Sequence, residues 1–232
     1  MYSINAEMAP NPRAWEDGKR LAEATIEQYR NKHGEYPRKV SYTFWAGEFI
    51  TTEGATLAQA FWMLGIEPVR DNQGRVVDLK LIPSEELGRP RINVVIQISG
   101  QLRDIAGSCL KLLTDAVRLA SESPDEAYPN YVASGTLLQE KTLMDKGIAP
   151  KEARKMSIMR VFGPVNSGYS TGILGYTESS GSWEDEKEIA EGFLNNMGAT
   201  YGDDENWGSF QKDLFASALT ETDVVIQPRQ SN

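Results

Sequence analysis

The stretch Ile92 to Ile98 reads INVVIQI, five aliphatic residues interrupted only by Asn93 and Gln97, and it stops at Ser99-Gly100. A run of this kind asks for apolar cover on both of its faces. A parallel strand between layers of helices meets that demand, whereas an antiparallel strand with one wet face does not. Val40 to Ala46 (VSYTFWA) is uncharged, β-branched and aromatic, and makes a second strand of the same type, ending at Gly47.

Helical periodicity supplies the cover. Leu21, Ala22, Thr25, Ile26 and Tyr29 recur along Ala14 to Asn31, with Gly34 and Pro37 as a stop. Ala55 to Leu64 is an apolar helix closed by Gly65, entered through a polar loop from Glu48 to Gly54. Ile66 to Arg70 is expected as the return strand of a βαβ unit, followed by a turn at Asp71-Asn72-Gln73-Gly74 and a further extended run from Val76 to Ile82. One helix is expected to run from Arg103-Asp104 to about Ser121. Further helices are expected over Tyr131 to Lys146, Pro150 to Lys155, Ser182 to Asn196 and Phe210 to Leu219, with a strand inside Ser157 to Phe162 and a last strand from Asp223 to Gln227. Gly163 to Gly181 reads as a long glycine-rich loop. The alternation gives an α/β fold: a mainly parallel, doubly wound sheet flanked by helices, with a long Gly-rich loop region. Residues 1–232 are expected as a single α/β segment, with a division into a βαβ core (1–122) and a helical and loop extension carrying the returning strand (123–232) left open.

The formal net charge of −9 argues against nucleic acid as a partner, since that affinity comes largely from Lys and Arg neutralising phosphates. No apolar run approaches the roughly 20 residues needed to span a bilayer, and the N-terminus lacks a signal-peptide pattern. A cytoplasmic protein without membrane insertion is the expectation. Cys109 is the only cysteine and His33 the only histidine. That excludes an intrachain disulfide, a multi-cysteine metal cage, a two-His metal site and a His-dependent triad within the chain. Cys109 is expected as a buried structural thiol and His33 as a solvated residue past a helix end. No Walker A loop, G-x-S-x-G elbow, H-E-x-x-H or EF-hand loop is present.

Chemistry is then left to the loops at the carboxyl ends of the two buried strands, where α/β proteins place ligands. After the first come Trp45, Glu48, Thr52 and Glu53, a mixture suited to a flat ring with polar substituents, or to plain solvation with Thr52 capping the next helix. After the second come Ser99, Arg103 and Asp104; Arg103 either forks onto a substrate carboxylate or is tied to Asp104. Tyr169 belongs to the glycine-rich loop, which either covers a pocket or runs over the surface. Ser182 serves as a helix N-cap, and Glu184, Asp185 and Glu186 suit the dipole of that first turn, or form a weak hard-metal candidate beside Trp183.

Several blocks together resemble a known family. Thr52-Glu53-Gly54-Ala55-Thr56-Leu57-Ala58-Gln59-Ala60 continues through Leu64-Gly65-Ile66-Glu67-Pro68-Val69 and Gly74-Arg75-Val76-Val77. Leu81-Ile82-Pro83-Ser84-Glu85-Glu86-Leu87-Gly88-Arg89-Pro90-Arg91-Ile92-Asn93-Val94-Val95 follows, then Ser99-Gly100, Arg103-Asp104, Arg160-Val161-Phe162-Gly163, Gly168-Tyr169, Ser182 to Glu186 and Asp223-Val224-Val225. In this order, across nearly the whole chain, they are similar to the C-terminal part of the large subunits of cobaltochelatase and magnesium-protoporphyrin chelatase. The resemblance implies a tetrapyrrole substrate and a divalent metal (Co2+, with Mg2+ or Fe as alternatives), inserted with ATP that AAA+ and companion subunits hydrolyse. It also implies a much longer chain of which this is a segment, inactive alone, because the family's upstream block with a histidine and a glutamate has no counterpart here. Cobalt insertion into a corrin precursor is the first expectation; a haem- or porphyrin-binding or dechelating relative, or a docking module for the AAA+ subunits, are the alternatives. Trp45, Tyr169 and Trp183 as ring faces and Arg103 as an anion clamp fit a wide apolar disc with peripheral carboxylates.

Overall fold

In the computed structural model, which describes residues 5–124, 127–165 and 186–228, the two uncharged runs form the centre of one sheet. β1 (Lys39–Phe44) and β4 (Asn93–Ile98) pair in parallel over their whole length, from Lys39 opposite Asn93 to Phe44 opposite Ile98. β5 (Val161–Gly163) continues the parallel order on one side and β8 (Val224–Ile226) on the other. Two antiparallel pairs of residues, β6 (Ala199–Thr200) and β7 (Ser209–Phe210), complete the order β7-β6-β5-β4-β1-β8.

Alternation along the strands divides the apolar residues between two layers. Val40, Tyr42, Phe44, Val94, Ile96, Ile98 and Val161 face α1 (Pro12–His33), α3 (Ala55–Leu64) and α6 (Gly107–Ser121). Val95 and Phe162 face the other way, into a smaller core with Leu143 of α7 (Tyr131–Asp145), Ala153 and Met156 of α8 (Pro150–Met156), Met197 of α9 (Glu186–Met197) and Leu214 and Phe215 of α10 (Lys212–Leu219). This is the doubly wound arrangement expected. The second face is more polar near β1, where Gln97 donates to the Ser41 hydroxyl at 3.1 Å.

Three expectations are corrected. β2 (Ile66–Arg70) is not the return strand of a βαβ unit; it pairs antiparallel with β3 (Val76–Leu81) in a separate two-stranded hairpin. Its charges explain this: Glu67 and Arg70 cannot be covered on both faces, Glu67 lies opposite Lys80, and Val77 stays 58% exposed. The polar loop after β1 is a helix, α2 (Ala46–Thr52), held to the core by Phe49 and Ala46 with its polar residues turned outward. Glu53 and Gly54, at φ 55° and 94°, end it and redirect the chain into α3. The helix after β4 is also divided, into α5 (Gly100–Ile105) and α6, by a non-helical Ala106. Gly107 follows, where the Trp207 ring lies close enough that a Cβ would meet it at 3.2 Å.

The Gly-Arg-Pro-Arg stretch before β4, with α4 (Ser84–Leu87) just ahead of it, is structural. Arg89 donates to the carbonyls of Trp62 (2.7 Å) and Pro90 (3.0 Å) and to Glu23 (2.9 Å) while its guanidinium lies 5.4 Å from the Trp62 ring. Arg91 donates to the carbonyls of Leu64 (3.2 Å), Gly65 (2.9 Å) and Ile82. Two buried cations therefore satisfy the orphan carbonyls at the end of α3, where the helix dipole favours them. Gly65 has φ 72° and no room, since a Cβ there would lie 2.2 Å from Arg91 Nη1. We expect Gly65→Ala to lower the unfolding free energy in urea by at least about 2 kcal/mol; a loss below roughly 0.5 kcal/mol contradicts this packing. Cys109 is buried as expected, its thiol donating to the Ala6 carbonyl at 3.1 Å, and burial pushes its pKa up to about 12. The native chain should not react with a thiol-exchanging disulfide reagent at pH 8, and should react once unfolded in urea; fast labelling of the folded chain contradicts that.

Candidate functional site

Parallel pairing of β1 and β4 brings their following segments to one edge of the sheet. The Ser99 amide donates to the Phe44 carbonyl at 3.1 Å, so the two strand ends are locked side by side and α2 packs against α5. β5 runs the same way, and the described chain leaves it at Pro164 and Val165 on this edge. Three consecutive strands thus deliver their carboxyl ends to one place.

The residues expected there divide into two groups. In the first, Ser99 is buried and its hydroxyl accepts from the Leu102 amide at 3.2 Å, which makes it the N-cap of α5. Arg103 follows one turn later. Its Nε donates to Asp104 at 2.8 Å, the side chain is 15% exposed against 47% for Asp104, and the guanidinium lies 5.7 Å from the Tyr201 ring centre. The hydrogen bond to Asp104 is the main cause that raises the Arg103 pKa, against the opposing effect of burial, so the cation is permanent. Of the two readings of Arg103, the tie to Asp104 is the one present: Asp104 holds Nε.

Tyr201 was not legible from the sequence. Its hydroxyl donates to the Pro164 carbonyl, and Trp207 stands edge-on to its ring at 5.3 Å and 81°. Lys111 of α6 lies 6.0 Å from the Trp207 ring. The only signal was the Gly- and Trp-containing loop from Gly202 to Gly208, and nothing local in it names α5 as the partner. The result is an aromatic corner at the carboxyl ends of β4 and β5 that holds two cations, each with an exposed acid: Arg103 with Asp104 and Lys111 with Asp204.

The second group lies on and beside α2. Trp45 is half-buried in extended conformation just before the helix. Glu48 Oε1 accepts from the hydroxyls of Thr56 (2.6 Å) and Thr52 (2.9 Å), while its Oε2 is buried without a partner. Thr52 also accepts from the Ala55 amide at 3.2 Å, which is the capping role expected. Glu53 is a tether: its carboxylate accepts from Asn11, the N-cap of α1, and its carbonyl accepts from the Asn11 amide at 3.3 Å. Thr52 and Glu53 line a shallow recess of about 370 Å³ against Asp17 and Arg20 of α1, apart from Arg103.

Tyr169, Trp183, Glu184 and Asp185 lie outside the described residues, as do the Ser182 cap and the Glu186 side chain. Among the described residues no three His, Cys, Asp or Glu side chains are grouped to hold a metal ion, and no helix is long and apolar enough to cross a membrane. His33 stacks on Tyr29, ring centres 4.3 Å apart, at the end of α1. Among the described residues, the carboxyl edge offers a fixed cation and the partly exposed indoles of Trp45 and Trp207.

Comparison with known proteins bears on what is bound. The CobN/Magnesium Chelatase family profile matches residues 1–232. The chain is 32% identical over 227 residues to an aerobic cobaltochelatase subunit CobN of Sinorhizobium sp, covering 97% of this chain and 18% of that protein. It is 30% identical over 235 residues to the chloroplastic magnesium-chelatase subunit ChlH of Oryza sativa subsp. japonica, covering 100% of this chain and 16% of that one. The catalytic subunit of cobaltochelatase from Mycobacterium tuberculosis superposes with a TM-score of 0.88 at 31% identity, covering 97% of this chain and 18% of that chain. The chain thus spans under a fifth of the length of these relatives, and it belongs to the CobN/magnesium chelatase family.

Proposed function

We propose that the carboxyl edge of the sheet is part of the wall of a tetrapyrrole chamber in a large chelatase subunit, and that the subunit inserts cobalt into a corrin precursor. The observation that carries this is the convergence of the segments that follow β1 and β4 on one edge. A tetrapyrrole is a wide apolar disc edged with carboxylates. Arg103, held charged by Asp104, suits one such carboxylate, and the partly exposed Trp45 and Trp207 suit the disc. Co2+ is a substrate of this reaction, not a resident of this segment; Mg2+ or Fe would require a different ring. The cobalt assignment rests on the cobaltochelatase relatives and the cobaltochelatase structure named above. ATP hydrolysis falls to AAA+ partner subunits, in keeping with a sequence without a Walker A loop.

An absorbance titration tests this, with a metal-free corrin and with protoporphyrin, on the whole subunit. We expect tighter binding of the corrin, a loss of roughly tenfold or more for Arg103→Ala, consistent with one charge-assisted hydrogen bond, and partial retention in Arg103→Lys. Trp45→Ala should weaken both rings. Unchanged affinity in both alanine variants sinks the placement; tighter binding of protoporphyrin sinks the corrin assignment.

A further inference from the structure

A second recess, about 470 Å³, opens at the opposite edge of the sheet, where β1 and β4 begin and α7 and α10 pass. It is separated from Arg103 by the length of a six-residue strand, roughly 20 Å, so it is independent of the ring reading. Its floor holds Arg160, 2% exposed, the residue immediately before β5.

Every hydrogen-bond partner of Arg160 is neutral. Nε donates to Asn93 Oδ1 at 3.1 Å, Nη1 to the carbonyls of Ser157 (2.6 Å) and Met159 (2.9 Å), and Nη2 to the Thr136 hydroxyl at 3.2 Å. A guanidinium carries five N–H groups, so an N–H of Nη2 remains for the recess. Burial holds the Arg160 pKa down at about 10 with no acid opposing it, which leaves the group charged at neutral pH.

Lys39, on the first residue of β1, lines the same recess and gives one of its N–H bonds to the Thr220 carbonyl. Desolvation, and next the charge of Arg160, lower its pKa; Glu221 and Asp223 oppose this more weakly. Those two acids, Glu35 and Arg38 are on the rim, with Arg38 Nη2 4.0 Å from the Glu35 carboxylate, so the rim carries three acids against one exposed cation. Asp223 is committed, accepting from the amides of Arg38 (2.6 Å) and Lys39 (3.1 Å) and from the Tyr29 hydroxyl (3.3 Å). Glu35 and Glu221 are exposed. A buried cation is costly unless it is paired, and among the described residues nothing pairs Arg160.

We propose that this recess binds a small monocarboxylate, whose oxygens take the remaining Nη2–H of Arg160 and the Lys39 ammonium. The cationic floor calls for an anion, and the acidic rim disfavours one carrying two charges. The volume is that of a small-molecule pocket, so the carboxylate carries a body.

The test is calorimetric titration of the chain with benzoate at constant ionic strength, with inorganic phosphate as the dianionic comparison. Saturable benzoate uptake, tighter than phosphate, is expected. Asn93→Asp places a carboxylate where an amide oxygen already accepts from Arg160 Nε. It should therefore supply the counter-ion internally, raise the unfolding temperature and weaken benzoate by roughly tenfold or more. Lys39→Gln, at a half-buried side chain, should weaken it by a similar factor, and Arg103→Ala should leave it unchanged. Absence of saturable uptake, benzoate affinity in the Asn93→Asp and Lys39→Gln variants undiminished from that of the native chain, tighter binding of phosphate, or loss of uptake in Arg103→Ala would each overturn the assignment.

Discussion

The rest of the molecule depends on the parallel pairing of β1 with β4, six residues against six, buried on both sides. Because the strands run the same way, the chain must return between them over the sheet, and the intervening α2, α3 and the β2–β3 hairpin do so on one face. Because both faces are covered, two cores form. The larger contains Tyr42, Phe44, Val94 and Ile96, the smaller Val95 and Phe162. The same pairing places Trp45 beside Ser99 at one edge and Lys39 beside Asn93 at the other. One constraint therefore builds the scaffold and gives it two chemically different edges.

Buried arginine is the second theme. Arg89 and Arg91 give their donors to the carbonyls that close α3, so the arginines just ahead of β4 are fold-building groups. Their value lies in satisfying backbone oxygens that neither α3 nor the hairpin satisfies alone. Arg160 differs because its recess is open and its partners include side chains of β4 and α7. Identical side chains thus serve as struts in one place and as the floor of a cavity in another, and the difference is the space in front of them.

How much of this could be read beforehand follows from which forces are local. β1 and β4 were legible because uncharged β-branched runs have few other uses, and α1 because its apolar spacing is set by 3.6 residues per turn. The helix α2 was not, since Glu48, Thr51, Thr52 and Glu53 look like a loop until Phe49 is known to be anchored. β2 was misassigned because Ile66 and Val69 advertise a strand without saying which partner it takes. At the site, Ser99, Arg103 and Asp104 were read together and lie together, whereas Thr52 and Glu53, read with Trp45 and Glu48, serve caps and tethers. Tyr201 and Arg160 escaped because their roles depend on contacts with residues 98 and 67 positions away.

The central claim is that the carboxyl edge, and not the amino edge, faces the macrocycle. Amide hydrogen exchange of the whole subunit, with and without a metal-free corrin, tests this most directly. The account predicts slowed exchange in α2 and in α5 from Ser99 through Ile105, with no change around Lys39 and Asn93. Protection confined to the amino edge, or none in either helix at saturating ring, would contradict it.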